Sequence, residues 1–316
     1  MPPRLRARAT ASWTRAPSGA LWMPVGRSHR AGPWSGCEDG AVQDVLRPSA
    51  GRTPRIIAHR GSSEHLPEQT LKAYVRAIAE GADALECDVR LTADSHLVCV
   101  HDRRVDRTSN GRGPVSTLEL ATLQGLDFGS WKQAHESDAE MPDVDRERDM
   151  LLTLRHLIGT VLTCGREVGL AIETKHPTRY AGQVERELAK VLGEFGLDRA
   201  YVPGRPHVSV MSMSQVAMSR MRQLCPEVPL VYLMKDSVPL RFRDGGLPRG
   251  ARIAGLDKAI IRRWPSTVRR QHDRGHLVYV WTVDDEVDID LCVELGVDGV
   301  ISNRPAFVRD YVFGRD

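Results

Sequence analysis

Two histidines, three carboxylates and two cations stand where apolar runs of this sequence end. Ile56-Ile57-Ala58 passes straight into His59-Arg60, and "ALECDVR" sets Glu86 and Asp88 two residues apart. "HLVCVHD" closes on His101-Asp102, and "LAIETK" sets Glu173 and Lys175 two apart. Residues two apart in a strand share a face, so each pair points one way. Buried without partners, such groups would each cost several kcal/mol. A hard divalent cation gives the carboxylates a reason to gather, and an all-oxygen set suits Mg²⁺ or Ca²⁺ rather than zinc. Three carboxylates around a dication leave negative charge over. A further anion therefore needs cations beside it, and Arg60 and Lys175 supply them. Arg grips phosphate with two parallel hydrogen bonds, while Lys acts as a mobile point charge. Two imidazoles titrating near neutrality add a proton acceptor and a proton donor. The chemistry this set points to is cleavage of a phosphoester.

Elements that could position these groups recur from Pro54 onward. Apolar, β-rich runs fall at Ile56–His59, Ala84–Val89, Leu97–His101, Leu170–Glu173, His207–Met213, Leu230–Met234, Arg252–Leu256, Leu277–Thr282 and Asp298–Ile301. Helical patterns lie between most of them. In Glu68–Glu80, Leu71, Tyr74, Val75, Ile78 and Ala79 follow the spacing of one helical face. Leu151–Val168, Tyr180–Phe195, Ser214–Leu224, Ser266–Arg274 and Asp285–Leu295 are similar. Such alternation predicts a parallel α/β fold. About eight strands of near-continuous apolar character predict a single-domain, closed (β/α)8 TIM barrel. Barrel chemistry sits at the carboxyl ends of the strands, which is where the ionisable groups fall.

Composition narrows the function classes. The chain has 316 residues, 41% of them hydrophobic and 27% charged, with a net charge of +3. That balance gives no reason to expect nucleic acid or an anionic membrane as partner. No apolar run approaches a membrane span. Cysteines 37, 87, 99, 164, 225 and 292 show no metal-type spacing, which predicts a reduced, cytoplasmic protein. Cys87 and Cys99 read as packing residues within strands. Residues 1–50 carry seven Arg, three acids and no Lys, with no hydrophobic period. The stretch 1–53 is therefore expected to be a disordered tail, ahead of a catalytic domain over 54–316.

The motifs "HRGSSEHLPEQT", "ECDVRLTADSHLVCVHD", "DRTSNGRGPV", "IETKHP", "WTVDD" and "GVDGVISNRP", in this order, resemble the glycerophosphodiester phosphodiesterase family, its actinobacterial members most of all. The resemblance covers about residues 54–307. It implies a TIM barrel that uses a divalent metal to hydrolyse glycerophosphodiesters to sn-glycerol 3-phosphate and an alcohol. Carried over by motif, it implies His59 and His101 as the acid–base pair and Glu86, Asp88 and Glu173 as metal ligands. It likewise implies Arg60 and Lys175 as phosphate contacts and Trp281 as a wall of the glycerol pocket. Two departures stand out. The family's Pro-Glu-Asn-Thr is here Pro67-Glu68-Gln69-Thr70, one methylene longer at the amide. The strongly charged Lys132–Asp149 replaces a short loop and is expected to be a surface loop.

The expected nucleophile is the glycerol hydroxyl next to the ester oxygen, giving a cyclic phosphate that water then opens. His101 is expected as base and His59 as acid in the first step. Two other readings compete. A lysophospholipase D would need an apolar entry surface, and only 5% of residues are aromatic. An inactive barrel used as a binding module would not need both histidines and every ligand intact.

Overall fold

The computed structural model describes residues 53–132 and 150–314. The expectations for the tail 1–53 and for the charged stretch Lys132–Asp149 lie, but for Thr53 and Lys132, outside the described residues. Nine strands form one sheet: β1 (Arg55–His59), β2 (Ala84–Leu91), β3 (Leu97–Cys99), β4 (Gly169–Thr174), β5 (Val208–Ser212), β6 (Leu230–Met234), β7 (Ala251–Asp257), β8 (Leu277–Trp281) and β9 (Gly299–Ser302). The order is β1-β9-β8-β7-β6-β5-β4-β2-β3, and β1 also pairs with β2. Eight parallel strands thus close into a barrel with helices between them, the TIM architecture.

The third apolar run departs from the expectation. β3 is not a wall strand; it pairs antiparallel with β2, Val89 opposite Cys99 and Leu91 opposite Leu97. β2 overshoots the barrel rim, turns, and β3 descends again. Apolar content alone cannot tell these two cases apart, because both kinds of strand are buried. The structure also adds helices at Lys258–Arg263 and Pro305–Phe313 that no expected helical stretch covered.

Period two divides the wall residues between two cores. Ile56, Ala58, Leu85, Cys87, Val89, Leu170 and Ile172 face outward into the layer under the helices. Ile57, Ala171, Met211, Val231, Ile253, Tyr279 and Ile301 fill the barrel interior, with Ala84 and Trp281 packed against them. Counting by two from Ala84 brings Glu86 and Asp88 inward; counting from Ala171 brings Glu173. The apolar filling gives way to carboxylates only in the uppermost layer. Side-chain oxygens cap several helix starts: Thr70 accepts from Ala73 N, Thr153 from His156 N and Ser214 from Ala217 N. Each such cap contributes about 1 kcal/mol.

Candidate active site

β1 ends in a tight turn that needs its glycine. Arg60 has φ 58° and Gly61 φ 87°. A Cβ at Gly61 would stand 2.6 Å from the Ala73 carbonyl carbon, so no side chain fits between β1 and the helix Leu71–Ala79. Arg60 pays the left-handed cost of about 1 kcal/mol. In return its backbone N–H donates to Glu86, 3.2 Å to the carbonyl and 3.1 Å to Oε2.

The mouth of the barrel gathers the predicted carboxylates. One oxygen each from Glu86, Asp88 and Glu173 lie within 4.8 Å of one another, all three residues buried. Both predicted cations reach the group. Arg60 Nε is 3.0 Å from Asp88 Oδ2; Lys175 Nζ is 3.2 Å from Asp88 Oδ1 and 2.9 Å from Glu173 Oε1. The charges do not balance, and the acids respond unequally. Burial and then the neighbouring Asp88 push the Glu86 carboxyl well above its usual range. The same two causes lift Glu173 to about 7. Asp88 is held low because Lys175 and Arg60 outweigh its burial.

Gln69 makes the contact that its extra methylene put in question. Its Nε2 donates to Asp88 Oδ2 at 2.7 Å, and its Oε1 accepts from Tyr74 Oη at 2.6 Å. The backbone adopts φ 64° to allow this, held by the Gln69 N–H to the Arg60 carbonyl at 3.0 Å. Gln69→Ala should leave the barrel folded yet weaken divalent-cation binding roughly 10–100-fold, the usual effect of removing a group that orients a ligand. A calorimetric titration of the purified variant checks this; unchanged affinity would mean that Gln69 only fills space.

The histidines are fixed from behind by different partners. His59 Nδ1 is 2.7 Å from Asn303 Oδ1. Asp284 sets that amide's orientation, accepting from Asn303 Nδ2 at 2.7 Å and from Asn303 N at 2.8 Å. Oδ1 therefore faces the ring, Nδ1 carries the proton, and Nε2 is free to act. Burial and then Arg60 bring the His59 pKa down to about 4. His101 is backed by a carboxylate, its Nδ1 2.7 Å from Asp102 Oδ1. Arg107 Nε donates to Asp102 Oδ2 at 2.6 Å, and its other nitrogens pair with Glu68, which also holds Arg60. Burial lowers the His101 pKa too, and Asp88 and Asp102 oppose it. His101 reaches the mouth from above, down the β2–β3 arm, where Val100 N bonds the Asp88 carbonyl at 3.0 Å. It is not at the carboxyl end of a wall strand.

Trp281, the last residue of β8, is half-buried, and its buried Nε1 finds no hydrogen-bond partner among the described residues. Cys87 and Cys99 are buried and unreactive in setting. The sequence motifs contained Asn303, Asp284, Arg107 and Glu68, but nothing in their spacing assigned them a role. Asn303 lies 244 positions from the ring it holds; only closure of β9 onto β1 brings them together.

A family model described as "Glycerophosphoryl diester phosphodiesterase family" matches residues 59–307. The chain belongs to this family. It is similar to a probable glycerophosphodiester phosphodiesterase 1 of Mycobacterium tuberculosis, 43% identical over 259 residues, covering 82% of this chain and 92% of the relative. A glycerophosphodiester phosphodiesterase of Bacillus subtilis is 32% identical over 253 residues, covering 79% and 83%. Among solved structures, a phosphodiesterase of Oleispira antarctica in complex with the product sn-glycerol-3-phosphate matches with a TM-score of 0.68. It is 23% identical and covers 86% of this chain and 98% of its own; that likeness concerns the fold. The chain is thus a glycerophosphodiester phosphodiesterase by family. Among the described residues, no helix is long and apolar enough to cross a membrane.

Proposed function

We propose that the barrel mouth hydrolyses small glycerophosphodiesters to sn-glycerol 3-phosphate and an alcohol, with His59 and His101 moving the protons. One observation carries this reading: buried Glu86, Asp88 and Glu173 converge to within 4.8 Å with Arg60 and Lys175 in ion-pair contact. The residues fit a divalent cation. All donors are oxygens, Asp88 Oδ1 is buried and, beyond its ion pair with Lys175, makes no hydrogen bond among the described residues, and Glu86 needs a countercharge to ionise. Glu86, Asp88 and Glu173 would hold Mg²⁺ or Ca²⁺. Such an ion would neutralise charge on the phosphoryl oxygens and make a nearby hydroxyl more acidic.

The chain's own groups do the rest. Arg60 and Lys175 bind the phosphate oxygens, and the Trp281 indole walls the glycerol side. The histidine partners favour the reverse of the order expected from sequence. His59, neutral with Nε2 free, takes the proton of the glycerol hydroxyl as that oxygen attacks phosphorus. His101, whose charged form Asp102 favours, gives a proton to the departing alkoxide. Phosphorus gains one oxygen and loses the other, leaving a cyclic phosphate. In the second step His101 takes a proton from water, and His59 returns its proton to the opening ester oxygen.

The catalytic domain in this reading is residues 54–316, with 1–53 outside it. We place the enzyme in the cytoplasm, in keeping with the free thiols among the described cysteines. The test is a panel of glycerophosphodiesters and lysolipids, assayed for glycerol 3-phosphate with Mg²⁺, Ca²⁺ or chelator. Release from the water-soluble diesters, dependent on the cation, is expected. Turnover of lysolipids alone would favour a lysophospholipase D instead.

A further inference from the structure

A basic recess opens beside the mouth, where the chain leaves β4. It is shallow, with a volume of about 30 Å³, and it opens to solvent. Arg90, Arg103, Arg179 and Lys175 line it, together with Tyr180, over an apolar floor that includes Val115 and Val184. Among the described residues no acidic one lines it. Among the described residues no carboxylate pairs with Arg103 or Arg179. Arg179 lies over the Tyr180 ring at 5.5 Å, and the Tyr180 hydroxyl donates to the Ser116 carbonyl at 2.9 Å, so one wall is braced. Arg90 spends Nε and one terminal nitrogen on the His101 carbonyl, at 2.9 and 2.7 Å. Among the described residues its other terminal nitrogen makes no such bond. Among the described residues none of the three guanidiniums makes an ion pair with a carboxylate, and each is a strong site for a planar or tetrahedral oxyanion.

The recess lies in a definite place relative to the reaction. In the closed order, β4 is four strands from β8 in either direction, so the strand that leads into the recess and the strand that carries Trp281 stand on opposite sides of the ring. Lys175 belongs to both the recess and the phosphate site. His101 stands above β2, next to β4, with its carbonyl held by Arg90. With glycerol at Trp281, the alcohol half of the diester is directed towards Arg90, Arg103 and Arg179, past the histidine that protonates it.

We infer that this recess is a subsite for an anionic substituent on the leaving alcohol, a carboxylate or a second phosphate. The enzyme then prefers diesters of acidic alcohols and discriminates against cationic ones. The inference rests on the proposed function for its orientation, and the test separates the two.

The probe is a matched pair: glycerophosphoglycerol, and the same molecule with a phosphomonoester on its second glycerol. The phosphorylated member should show a kcat/KM about 10–100-fold higher at low salt, chiefly through KM. Arg103→Glu with Arg179→Glu should reduce that ratio to about one or below. Both side chains are exposed, so the fold should survive. Raised salt should shrink the ratio in the wild type and leave the double variant almost unchanged. Equal turnover of the two substrates by the wild type would overturn the subsite while leaving phosphodiester hydrolysis standing. An equal loss on both substrates in the double variant would also overturn it, since the cations would then serve the mouth in general. Should the wild type cleave neither, the functional reading fails. Calorimetric binding of the pair still decides the recess, by tighter binding of the phosphorylated member or by its absence.

Discussion

Glu86→Gln should abolish hydrolysis and at the same time raise the thermal stability of the metal-free protein. The side chain is fully buried, and burial and Asp88 both oppose its charge, with only Arg60 and Lys175 against them. Its folded pKa stands above the unfolded value, so ionising it costs stability as pH rises through the neutral range. Gln keeps an oxygen for the Arg60 N–H and cannot ionise, which removes that cost. A gain of about 1–2 kcal/mol, roughly 2–8 °C in Tm for a domain of this size, is expected near pH 7. Activity at any accessible Mg²⁺ or Ca²⁺ concentration should fall at least about 10²-fold, because the lost ligand removes charge stabilisation worth several kcal/mol. Asp88→Asn is the contrast. It strands Arg60 and Lys175 beside a neutral group, and breaking such a buried pair costs on the order of 3 kcal/mol. Thermal melts with chelator and rate assays with metal measure both. A Glu86→Gln protein that melts lower than the wild type, or that keeps full activity, would refute the strained-ligand account.

The second large effect concerns the histidines. His59→Ala and His101→Ala should each reduce kcat by about 10²–10⁴-fold, and they should differ in what rescues them. A leaving alcohol of low pKa departs without a proton, so it should restore much of the rate to His101→Ala and little to His59→Ala. A substrate lacking the neighbouring hydroxyl should scarcely turn over with the wild type, because the positioned internal nucleophile supplies several kcal/mol. Rescue of His59→Ala instead would return the roles to the order expected from sequence. Efficient cleavage of the hydroxyl-free analogue would replace internal attack by direct attack of water.

The clustering of ionisable groups was legible in the sequence because each lies within a few residues of a strand end, and period two converts spacing into direction. Glu86, Asp88 and Glu173 could be placed on one face from "ALECDVR" and "LAIETK" alone, and the structure brings them together. What holds those groups was not legible. Asn303 on His59 joins the end of β9 to β1 across 244 positions, while Arg107 on Asp102 and Arg90 on the His101 carbonyl span 5 and 11 positions. Their separation along the chain carries no period. The third strand misled for another reason: "LVC" is as apolar in an antiparallel arm as in a wall, so only its pairing with Val89–Leu91 reveals its sense. Gln69 shows the reverse case, in which a longer side chain was accommodated by a left-handed backbone that composition does not announce.

Because β3 belongs to an arm and not to the wall, the enzyme divides its labour between two kinds of support. The carboxylates and His59 are built into the closed ring, where moving one strand would break hydrogen bonds on both sides. His101 hangs from an arm in which β3 pairs with β2 and also with Leu152 and Thr153, and β3 is not a member of the closed ring. In the proposed reading, a lineage can therefore remodel the surroundings of the departing alcohol while the carboxylate-bearing wall stays as it is. Diversification of substrate is expected to be written in the arm and the segments that follow it.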